Sequence, residues 1–410
     1  MAEYAQSEAG CAVVGGGPAG AVLALLLARG GVPVTLLEAH EDFDRDFRGD
    51  TLHPSVLELM DEIGLAERLH QLPHSKIHTG TIITDEGPTV LADFRSLGTR
   101  FPYIMMLPQK DFIAFVVEEA KRFPTFELKM GARVEGLIEE SGVVRGVRYE
   151  DNDGEHQLRA ALTVGADGRG SRVRHLGGFV QVKTSPPMDV LWFRIPRQAG
   201  DPEGGIAYFR GGVGLVMLNR GTQWQIAHLI LKGGFRDVRA AGLEALRNKL
   251  KATAPEYAER FDVLGEWKQM SMLSVESSRV ERWHRPGLLL VGDAAHVMSP
   301  VGGVGINYAI QDAVVAANVV AEPLRRGVLD EAHLREVQRQ REWPTRLIQA
   351  LQTRIQQRVI AAALDPRRRF RLPLALRLLL RVPGLRTLPA RFIGLGFKRV
   401  HVRERSVASA

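Results

Sequence analysis

The feature that most constrains the fold is a glycine-rich turn near the N-terminus, VVGGGPAGA, between an apolar run and a helix-like segment. Its glycines have the spacing Gly15-x-Gly17-x-x-Gly20, which allows a tight turn, close approach to a pyrophosphate, and helix-on-strand packing. Glu38 ends the next apolar strand, where a carboxylate can accept hydrogen bonds from a ribose. The alternative is a plain strand-to-helix turn with a surface Glu38. We predict a dinucleotide site formed by Gly15, Gly17, Pro18, Ala19, Gly20 and Glu38.

A second glycine-rich stretch, LLLVGDAAHVMSPVGGVGIN, occupies residues 288–307. It begins as an apolar strand, stops at Gly292-Asp293, and then carries glycines at positions 302, 303 and 305. An ordinary turn needs one or two glycines, so this density indicates backbone pressed against a large flat ligand. An NAD dehydrogenase would continue with several βα units after the first. This chain instead leaves that pattern after Glu38 and returns to it near residue 288.

Composition excludes several classes of protein. The one cysteine, Cys11, cannot form an internal disulfide and fits a reducing compartment, so we expect a cytoplasmic location. The first ten residues lack the features of a secretory signal, and no run of about 18 apolar residues predicts a transmembrane helix. No metal-ligand spacing, P-loop ending or nucleophile elbow occurs, so we expect no metal site.

Three motifs resemble those of the FAD-dependent aromatic hydroxylases, the class A flavoprotein monooxygenases of the p-hydroxybenzoate hydroxylase type. They are G-x-G-x-x-G at 15–20, the Asp-Gly motif GADGRGSRVR at 165–174, and the Gly-Asp motif GDAAHVMSPVGGVGIN at 292–307. The resemblance covers residues 10–345. It implies an α/β fold with a Rossmann-like FAD-binding domain, an inserted antiparallel β-sheet (α+β) substrate domain and a helical C-terminus.

The same resemblance implies roles for the Gly-Asp motif. Asp293 would bond the ribitol chain of FAD, and Pro300 would lie beside the ring, near the point where oxygen reacts. Backbone N–H groups and the helix after Gly305 would stabilise negative charge on the reduced flavin. His296 is interpreted as structural rather than as a base, and Asn307 as a brace for the turn. The predicted cofactor-binding residues here are Gly292, Asp293, Pro300, Gly302, Gly303, Val304, Gly305, Ile306 and Asn307, with Pro300, Gly305 and Ile306 also catalytic.

Three further cofactor contacts follow from the resemblance, each with a structural alternative. Arg48 would reach the FAD phosphates, with Gly49–Leu52 beside the isoalloxazine; the alternative is a surface salt bridge with Asp46 or Asp50. Gln109 would contact the ribityl and phosphate region, or else be a polar residue at a helix N-terminus. Asp167 would contact FAD and the pyridine nucleotide, or else be a turn carboxylate.

The element pattern divides the chain into six segments. Residues 1–75, 109–180 and 278–330 are assigned to three parts of the FAD-binding domain. Residues 76–108 and 181–277 are assigned to the substrate domain, and 331–410 to a helical basic C-terminal region. Helices are expected over 54–70, 110–122, 239–253 and 306–325.

The resemblance implies a reaction in which NADPH or NADH reduces FAD, O2 adds at flavin C4a, and the resulting hydroperoxide hydroxylates an electron-rich substrate. Strand alternation gives Trp192, Arg194, Met217, Trp224 and His228 as substrate candidates, without showing which faces look at the flavin. Several methionines indicate an adaptable apolar pocket, hence a bulky aromatic or polycyclic substrate. Alternatives are an FAD-dependent reductase or hydroxylase of a polyprenoid or lipid quinone, and a non-enzymatic FAD-binding protein. A halogenase is disfavoured because its W-x-W-x-I-P motif is missing.

The C-terminal residues 366–403 are strongly basic. They carry eleven Arg or Lys and no acid, whereas the rest of the chain carries 43 basic and 47 acidic residues. The high net charge is therefore no sign of nucleic-acid binding. We expect short helices that fold back on the body, because prolines and glycines break a long amphipathic face. Leucines would then line the core or the mouth of the substrate pocket, and arginines would pair with carboxylates of the body. The alternative is peripheral membrane contact through 366–403.

Overall fold

The computed structural model describes residues 5–44, 50–367, 369–382 and 384–403 of the chain. Its strands are β1 (Ala5–Val14), β2 (Val34–Leu37), β3 (Thr51–Leu52), β4 (Ser75–Ile77), β5 (Thr79–Thr84), β6 (Gly87–Asp93), β7 (Ile104–Met106), β8 (Phe126–Lys129), β9 (Arg133–Glu140), β10 (Val143–Asp151), β11 (Gly154–Gly165), β12 (Gln181–Thr184), β13 (Met188–Pro196), β14 (Gly205–Arg210), β15 (Val213–Asn219), β16 (Gln223–Leu231), β17 (Ser271–Leu273), β18 (Ser277–Val280), β19 (His284–Arg285), β20 (Leu288–Leu290) and β21 (His296–Val297).

The α-helices are α1 (Pro18–Arg29), α2 (Pro54–Glu62), α3 (Ala66–Leu69), α4 (Gln109–Ala120), α5 (Arg172–Leu176), α6 (Phe235–Ala241), α7 (Leu243–Thr253), α8 (Gly305–Arg325), α9 (Glu331–Ile355), α10 (Ala361–Ala363), α11 (Leu374–Arg381) and α12 (Leu388–Leu395). Two expected helices are interrupted at glycines. The helix expected over 54–70 is divided into α2 and α3, with Gly64 at φ +74° between them, and the one near 239–253 is divided at Gly242, at φ +90°.

The first sheet has the order β19-β20-β11-β1-β2-β8, in which β20, β11, β1, β2 and β8 run parallel. β10 adds to β11 and β9 to β10, both antiparallel. Helices α1, α4 and α8 bury one face of this sheet, and β9, β10 and α5 contribute to the core on the other. Residues 11–14 of β1 and all of β20 are apolar and buried, because the part of a strand that is covered on both faces must bury every side chain. This confirms the α/β, Rossmann-like part of the expected fold.

The second large sheet has the order β17-β13-β16-β15-β14-β5-β6. It is antiparallel except for the parallel β14–β5 pair. Strands β5 and β6 thus join a sheet whose other strands lie between residues 188 and 273. One face packs on α7 and the 3₁₀ segment Pro255–Val263, and the other packs on the residues that follow α9.

The C-terminal segment folds back on the body, as expected for most of its length. Ala390 and Leu395 of α12 are buried with residues of β4, β6 and β7, and Phe370 is buried against the second sheet. Arg371 and Arg377 pair with Glu86, and Arg399 pairs with Glu58. Helix α11 buries none of its side chains, so its leucines do not line the core. The exposed large apolar side chains of α11 and of the residues just after it are Leu374, Leu378, Val382 and Leu385.

Among the described residues, one segment, Val301–Arg325, is long and apolar enough to cross a membrane by length and composition. It consists of α8 and the turn before it, and 67% of its most apolar window is buried inside the fold. Helix α8 packs against α1 and α9. Its apolar character is therefore explained by its position in the core.

Candidate active site

The first glycine turn lies between β1 and α1, at the carboxyl end of the parallel sheet. Gly15 has φ +103°, and a Cβ there would lie 2.6 Å from the Ala166 carbonyl oxygen. A Cβ at Gly20 would lie 1.9 Å from the Gly15 oxygen. Gly17 is different, because the nearest atom to its Cβ position is 4.0 Å away. Two glycines are therefore required for packing, while Gly17 leaves open space at the N-terminus of α1, as an approaching pyrophosphate requires.

Glu38 is held at the end of β2 by its own neighbours. Its carboxylate accepts the backbone N–H of Gly16 at 2.7 Å and that of His40 at 3.1 Å, and it lies 2.6 Å from His40 Nδ1. A cleft of ≈ 370 Å³ runs beside it. The cleft is lined by residues of β1, β2 and β9 and of the turns after β1 and β11, among them Gly15, Glu38, Arg133 and Asp167. The nucleotide half of a dinucleotide cofactor would fit between these walls.

Asp167 lies at the carboxyl end of β11 and organises the start of α5. Its two carboxylate oxygens accept Ser171 Oγ at 2.5 Å and the backbone N–H of Val173 at 3.0 Å. Loss of hydration raises the pKa of this carboxyl, and these hydrogen bonds oppose the rise. Within the protein, Asp167 therefore makes the contacts expected of a turn carboxylate. Its role toward a cofactor stays a prediction, based on its place in the cleft beside Gly15.

The Gly-Asp motif follows β20, next to β11 in the sheet. Gly292 has φ +58°, and a Cβ there would lie 3.1 Å from the Ala309 Cβ and 3.4 Å from the Ala19 Cβ. Asp293 is half-buried, and its carboxylate oxygen lies 3.4 Å from Arg169 Nε of the Asp-Gly motif. The three sequence motifs therefore meet at the carboxyl ends of three adjacent parallel strands, β1, β11 and β20.

A buried charged network supports the Gly-Asp turn from behind. Asp312 of α8 accepts the backbone N–H of Gly292 at 3.1 Å, lies 2.6 Å from His296 Nε2, and accepts Arg341 Nε at 2.7 Å. Burial raises the pKa of Asp312, but His296 and Arg341 outweigh it and hold the pKa below its usual value. The ring of His296 also packs on Trp283, with centroids 4.9 Å apart. These contacts are those of a structural histidine.

The turn from Pro300 to Asn307 is closed by hydrogen bonds to strand β3. Asn307 Nδ2 donates to the carbonyl oxygens of Thr51 and Gly303, at 3.0 and 3.1 Å, and its Oδ1 accepts the His53 N–H at 2.8 Å. Thr51 Oγ1 also donates to the Gly303 oxygen. Gly302 and Gly303 take the positive φ values +81° and +64° that this turn needs. Asn307 therefore makes the contacts of a brace for the turn.

Helix α9 holds the same turn from its other side. Gln352 Nε2 donates to the carbonyl oxygens of Ser299 and Val301, at 2.9 and 2.8 Å. Helix α8 begins at Gly305, and its first turn leaves backbone N–H groups without intrahelical acceptors. The exposed backbone at Gly302 and the α8 N-terminus can therefore face an electron-rich ring edge.

The second sheet presents one face to this turn. Val301 packs in one cluster with Val190, Ala227 and Leu229, and Trp192 lies against the same cluster. Arg194 pairs in register with Gln225 on this face. Trp192 and Arg194 are therefore on the side of the turn from Pro300 to Asn307.

Three of the substrate candidates are corrected by the structure. Met217, Trp224 and His228 lie on the opposite face, and all three are buried. Met217 and Trp224 pack with Leu246 and Leu250 of α7. Burial lowers the pKa of His228 to about 4. They belong to the core between the sheet and α7, since strand alternation separates the faces but does not say which of them looks at the site.

A buried ion pair joins the residue before β3 to the turn between β15 and β16. Asp50 lies 3.0 Å from Arg220 Nη1, and Arg220 also donates to Gln225 Oε1 at 2.9 Å. Asp50 accepts the backbone N–H of Gln109, the first residue of α4, at 3.0 Å. Burial raises the pKa of Asp50, and Arg220 opposes the rise. Asp50 and Arg220 were missed because nothing in the sequence links residues 170 positions apart. The predicted residues Arg48 and Gly49 lie outside the described residues.

These arrangements fit FAD. The open position at Gly17 and the cleft beside Glu38 suit the adenosine and pyrophosphate part, while Asp293, the Gly302 backbone and the α8 N-terminus suit the ribitol and ring. No group of three or more metal-ligating side chains occurs within the described ranges.

Comparison with known proteins gives consistent matches. A family model described as an FAD binding domain matches residues 8–348. The 6-methylpretetramide 4-monooxygenase of Streptomyces rimosus is 35% identical over 406 residues, which cover 95% of this chain and 93% of that protein. The solved structure of OxyS anhydrotetracycline hydroxylase from Streptomyces rimosus is 25% identical with a TM-score of 0.74, covering 97% of this chain and 78% of that one. P. aeruginosa PqsL in complex with 2-aminobenzoylacetate has a TM-score of 0.77 at 22% identity, covering 88% and 98% of the two chains.

Proposed function

Because the chain belongs to the family of FAD-dependent aromatic hydroxylases, we propose that it is a monooxygenase that uses NADPH or NADH, O2 and FAD to hydroxylate a bulky aromatic or polycyclic substrate. The observation that carries this proposal is the meeting of the three motifs at the carboxyl ends of β1, β11 and β20. Ligands of open α/β sheets bind at this edge.

The residues proposed to hold FAD fall into two groups. The first is the turn at residues 15–20 together with Glu38. In this group the open N-terminus of α1 takes the pyrophosphate. Asp167 borders this group. The second is Gly292, Asp293 and the turn from Pro300 to Asn307. Gln109 is proposed to border the ribityl region through its place at the start of α4, beside Asp50.

Bound FAD supplies the redox chemistry with O2, and the chain supplies placement and electrostatics. The N-terminus of α8, at Gly305 and Ile306, presents backbone N–H groups and a positive dipole end to charge that develops at the ring. Pro300 and Val301 place apolar surface beside it, which limits water. Asn307, Thr51 and Gln352 keep these groups in position before the reaction.

The substrate is proposed to bind between this turn and the sheet face that carries Trp192 and Arg194. Apolar side chains from both sides, Val216 of the sheet and Val301 of the turn, suit a large flat apolar molecule. The relatives act on such molecules by name, since one is a 6-methylpretetramide monooxygenase and another an anhydrotetracycline hydroxylase. The alternative of a polyprenoid or lipid-quinone enzyme is not favoured, because these relatives are named for polycyclic aromatic substrates.

Two measurements test this proposal. Purified protein should be yellow and should release non-covalently bound FAD on denaturation. In a single turnover of reduced enzyme with a polycyclic phenol, product should form after O2 is admitted and should not form without it. Equal product in the absence of O2 would instead indicate a reductase or dehydrogenase.

A further inference from the structure

A second cleft, of ≈ 340 Å³, lies between strands β12 and β18 and helix α9. We call it the arginine cleft. Its walls are Arg279 of β18 and Arg346 and Arg354 of α9, and no carboxylate lines it among the described residues. Its floor includes Ser277, Ser278 and Gln349, all buried.

The charge of this cleft is largely uncompensated. Within the described ranges, Arg279 and Arg354 have no carboxylate partner. Arg346 pairs with Glu342 at 3.4 Å, an exposed pair of the kind that contributes little. Guanidinium groups bind phosphate oxygens through parallel N–H bonds, so three of them without a facing acid suit a phosphate or pyrophosphate.

The elements that form the arginine cleft also hold the turn from Pro300 to Asn307. Gln349 Nε2 donates to the carbonyl oxygens of Ser278 and Val297, at 2.9 and 3.1 Å. Gln352, three residues along α9, holds the oxygens of Ser299 and Val301. Strand β18 itself pairs with β21, which leads into Pro300. A ligand anchored in the cleft is therefore held by elements that also support the turn proposed to face the flavin.

The size of the cleft limits what it can hold. Its volume is at the lower end of the range for small-molecule sites, so it would take part of a dinucleotide rather than all of it. The chain has one complete G-x-G-x-x-G with its acid, and that site is proposed for FAD. The nicotinamide cosubstrate therefore has no dinucleotide motif of its own to bind its phosphates.

We infer that the arginine cleft binds a phosphate or pyrophosphate group of NADPH or NADH, an inference that rests on the NAD(P)H dependence proposed above. The same phosphate chemistry has two sources in these molecules. The pyrophosphate is common to both nucleotides, whereas the 2′-phosphate occurs in NADPH alone.

The test compares two double variants of the FAD holoenzyme that lose the same charge. Arg279→Gln with Arg354→Gln removes the two unpaired cations of the cleft. Arg335→Gln with Arg339→Gln removes two exposed cations from another part of α9, outside the cleft. Anaerobic stopped-flow reduction of bound FAD, over a range of NADPH and of NADH, gives a Kd and a limiting rate for each.

We expect the cleft variant to raise the Kd for NADPH by at least about tenfold, as for the loss of charged hydrogen bonds, with the limiting rate within about twofold. The control variant should stay within about twofold of the wild type. A rise for NADPH alone assigns the 2′-phosphate to the cleft, and a rise for both nucleotides assigns the pyrophosphate. Lysines at both positions should restore part of the affinity.

The inference is overturned if the cleft and control variants bind both nucleotides as the wild type does. It is also overturned if the wild type is reduced by neither nucleotide. That second result leaves the monooxygenase proposal testable, because dithionite-reduced enzyme can be mixed with O2 and substrate without any nucleotide.

Discussion

Asp312 shows how one buried carboxylate can support a cofactor site that it does not touch. It is fully buried, and its oxygens hold the Gly292 N–H, His296 and Arg341 together. Burial of a charge is costly unless the charge is paired and hydrogen-bonded. Because Gly292 precedes Asp293, the same contacts fix the position of the carboxylate proposed to bind FAD.

Replacing Asp312 with alanine should lower the free energy of unfolding by about 3–5 kcal/mol, since Arg341 would remain buried without its partner. Urea denaturation of the holoenzyme at neutral pH measures this. The control is Asp330→Ala, which removes an exposed N-cap of α9 and should cost about 1 kcal/mol. Equal losses for the two variants would contradict the role given to Asp312.

Asp293→Ala should weaken FAD binding at least about fivefold, because one buried hydrogen-bond partner is worth about 1–3 kcal/mol. The dissociation constant of FAD, measured by flavin fluorescence on reconstitution of apoprotein, gives the answer. Asp153→Ala, in the exposed turn between β10 and β11, is the matched control. Unchanged FAD affinity in the Asp293 variant would mean that the motif is misplaced.

Residues differ in how far the sequence predicts them. Gly15, Gly20 and Gly292 could be assigned because a glycine spacing encodes local geometry. In the structure, backbone atoms exclude a Cβ at Gly15 and Gly20, and Gly292 has positive φ and a tight contact at its Cβ position. Asp312 and Arg341 could not be assigned from the sequence, because their role depends on an ion pair between two helices. Asp312 does leave one signal, since it is a charged residue on the apolar face of α8.

The turn before α8 is the element on which the proposed chemistry depends. Gly302 and Gly303 have positive φ, and because glycine has many accessible conformations, the backbone of this turn does not hold itself in one of them. Contacts from β3 and α9 restrict it instead, through Asn307, Thr51 and Gln352. A site built this way is ordered by hydrogen bonds from elements distant in sequence.

Asn307→Ala should lower kcat at least about tenfold while FAD stays bound, because three hydrogen bonds that hold the turn are lost. Steady-state hydroxylation at saturating cosubstrate measures the effect. Asn318→Ala is the control on the same helix, since the side-chain hydrogen bonds of Asn318 to the described part of the chain are with exposed backbone at His401 and Arg403. A kcat equal to that of the control would show that the turn needs no brace.

The presence of helices and strands was predicted better than the residues at which they end and the strands that pair. The strand–turn–helix of β1 and α1 follows from local glycine spacing, and the apolar period of α8 from its own sequence. The breaks at Gly64 and Gly242 were missed because a glycine inside a helical pattern does not always end it. The parallel pairing of β5 with β14 joins residues more than 120 positions apart, which local pattern cannot show. The six-segment division of the chain stays a prediction.

The whole molecule should lose stability as the pH falls below neutrality. Burial lowers the pKa of His53 and of His228 to about 4, so both stay neutral in the folded protein while the unfolded chain binds protons below about pH 6.5. Their contribution to the free energy of unfolding is fully present above that pH and is lost as the pH falls toward 4. At pH 5 the depressed pKa of each histidine should lower the free energy of unfolding by about 2 kcal/mol.

Urea denaturation between pH 7.5 and 5 measures this slope. His53→Gln should reduce it, because glutamine can still donate to the Ile393 carbonyl but does not titrate. His401→Gln, at an exposed histidine, is the control. A slope in His53→Gln equal to that of the control would contradict the assignment.

The C-terminal segment contributes to the stability of the whole fold. Deleting residues 366–410 should lower the free energy of unfolding by several kcal/mol, since each large buried apolar side chain contributes about 1.5–3 kcal/mol and the segment buries Phe370, Leu372 and Leu395. Thermal unfolding of the holoenzyme tests this. Tight binding to anionic vesicles that is lost on the deletion, with FAD retained and no loss of stability, would favour a membrane role instead.

The central claim, that this chain is an FAD-dependent monooxygenase, is tested most directly by the source of the oxygen atom in the product. A polycyclic phenol is incubated with the holoenzyme, NADPH and ¹⁸O₂ in unlabelled water, and the product is examined by mass spectrometry. Each turnover of a monooxygenase should place one labelled oxygen atom in the product. Product that carries no label, or label only when the water is enriched, would contradict it.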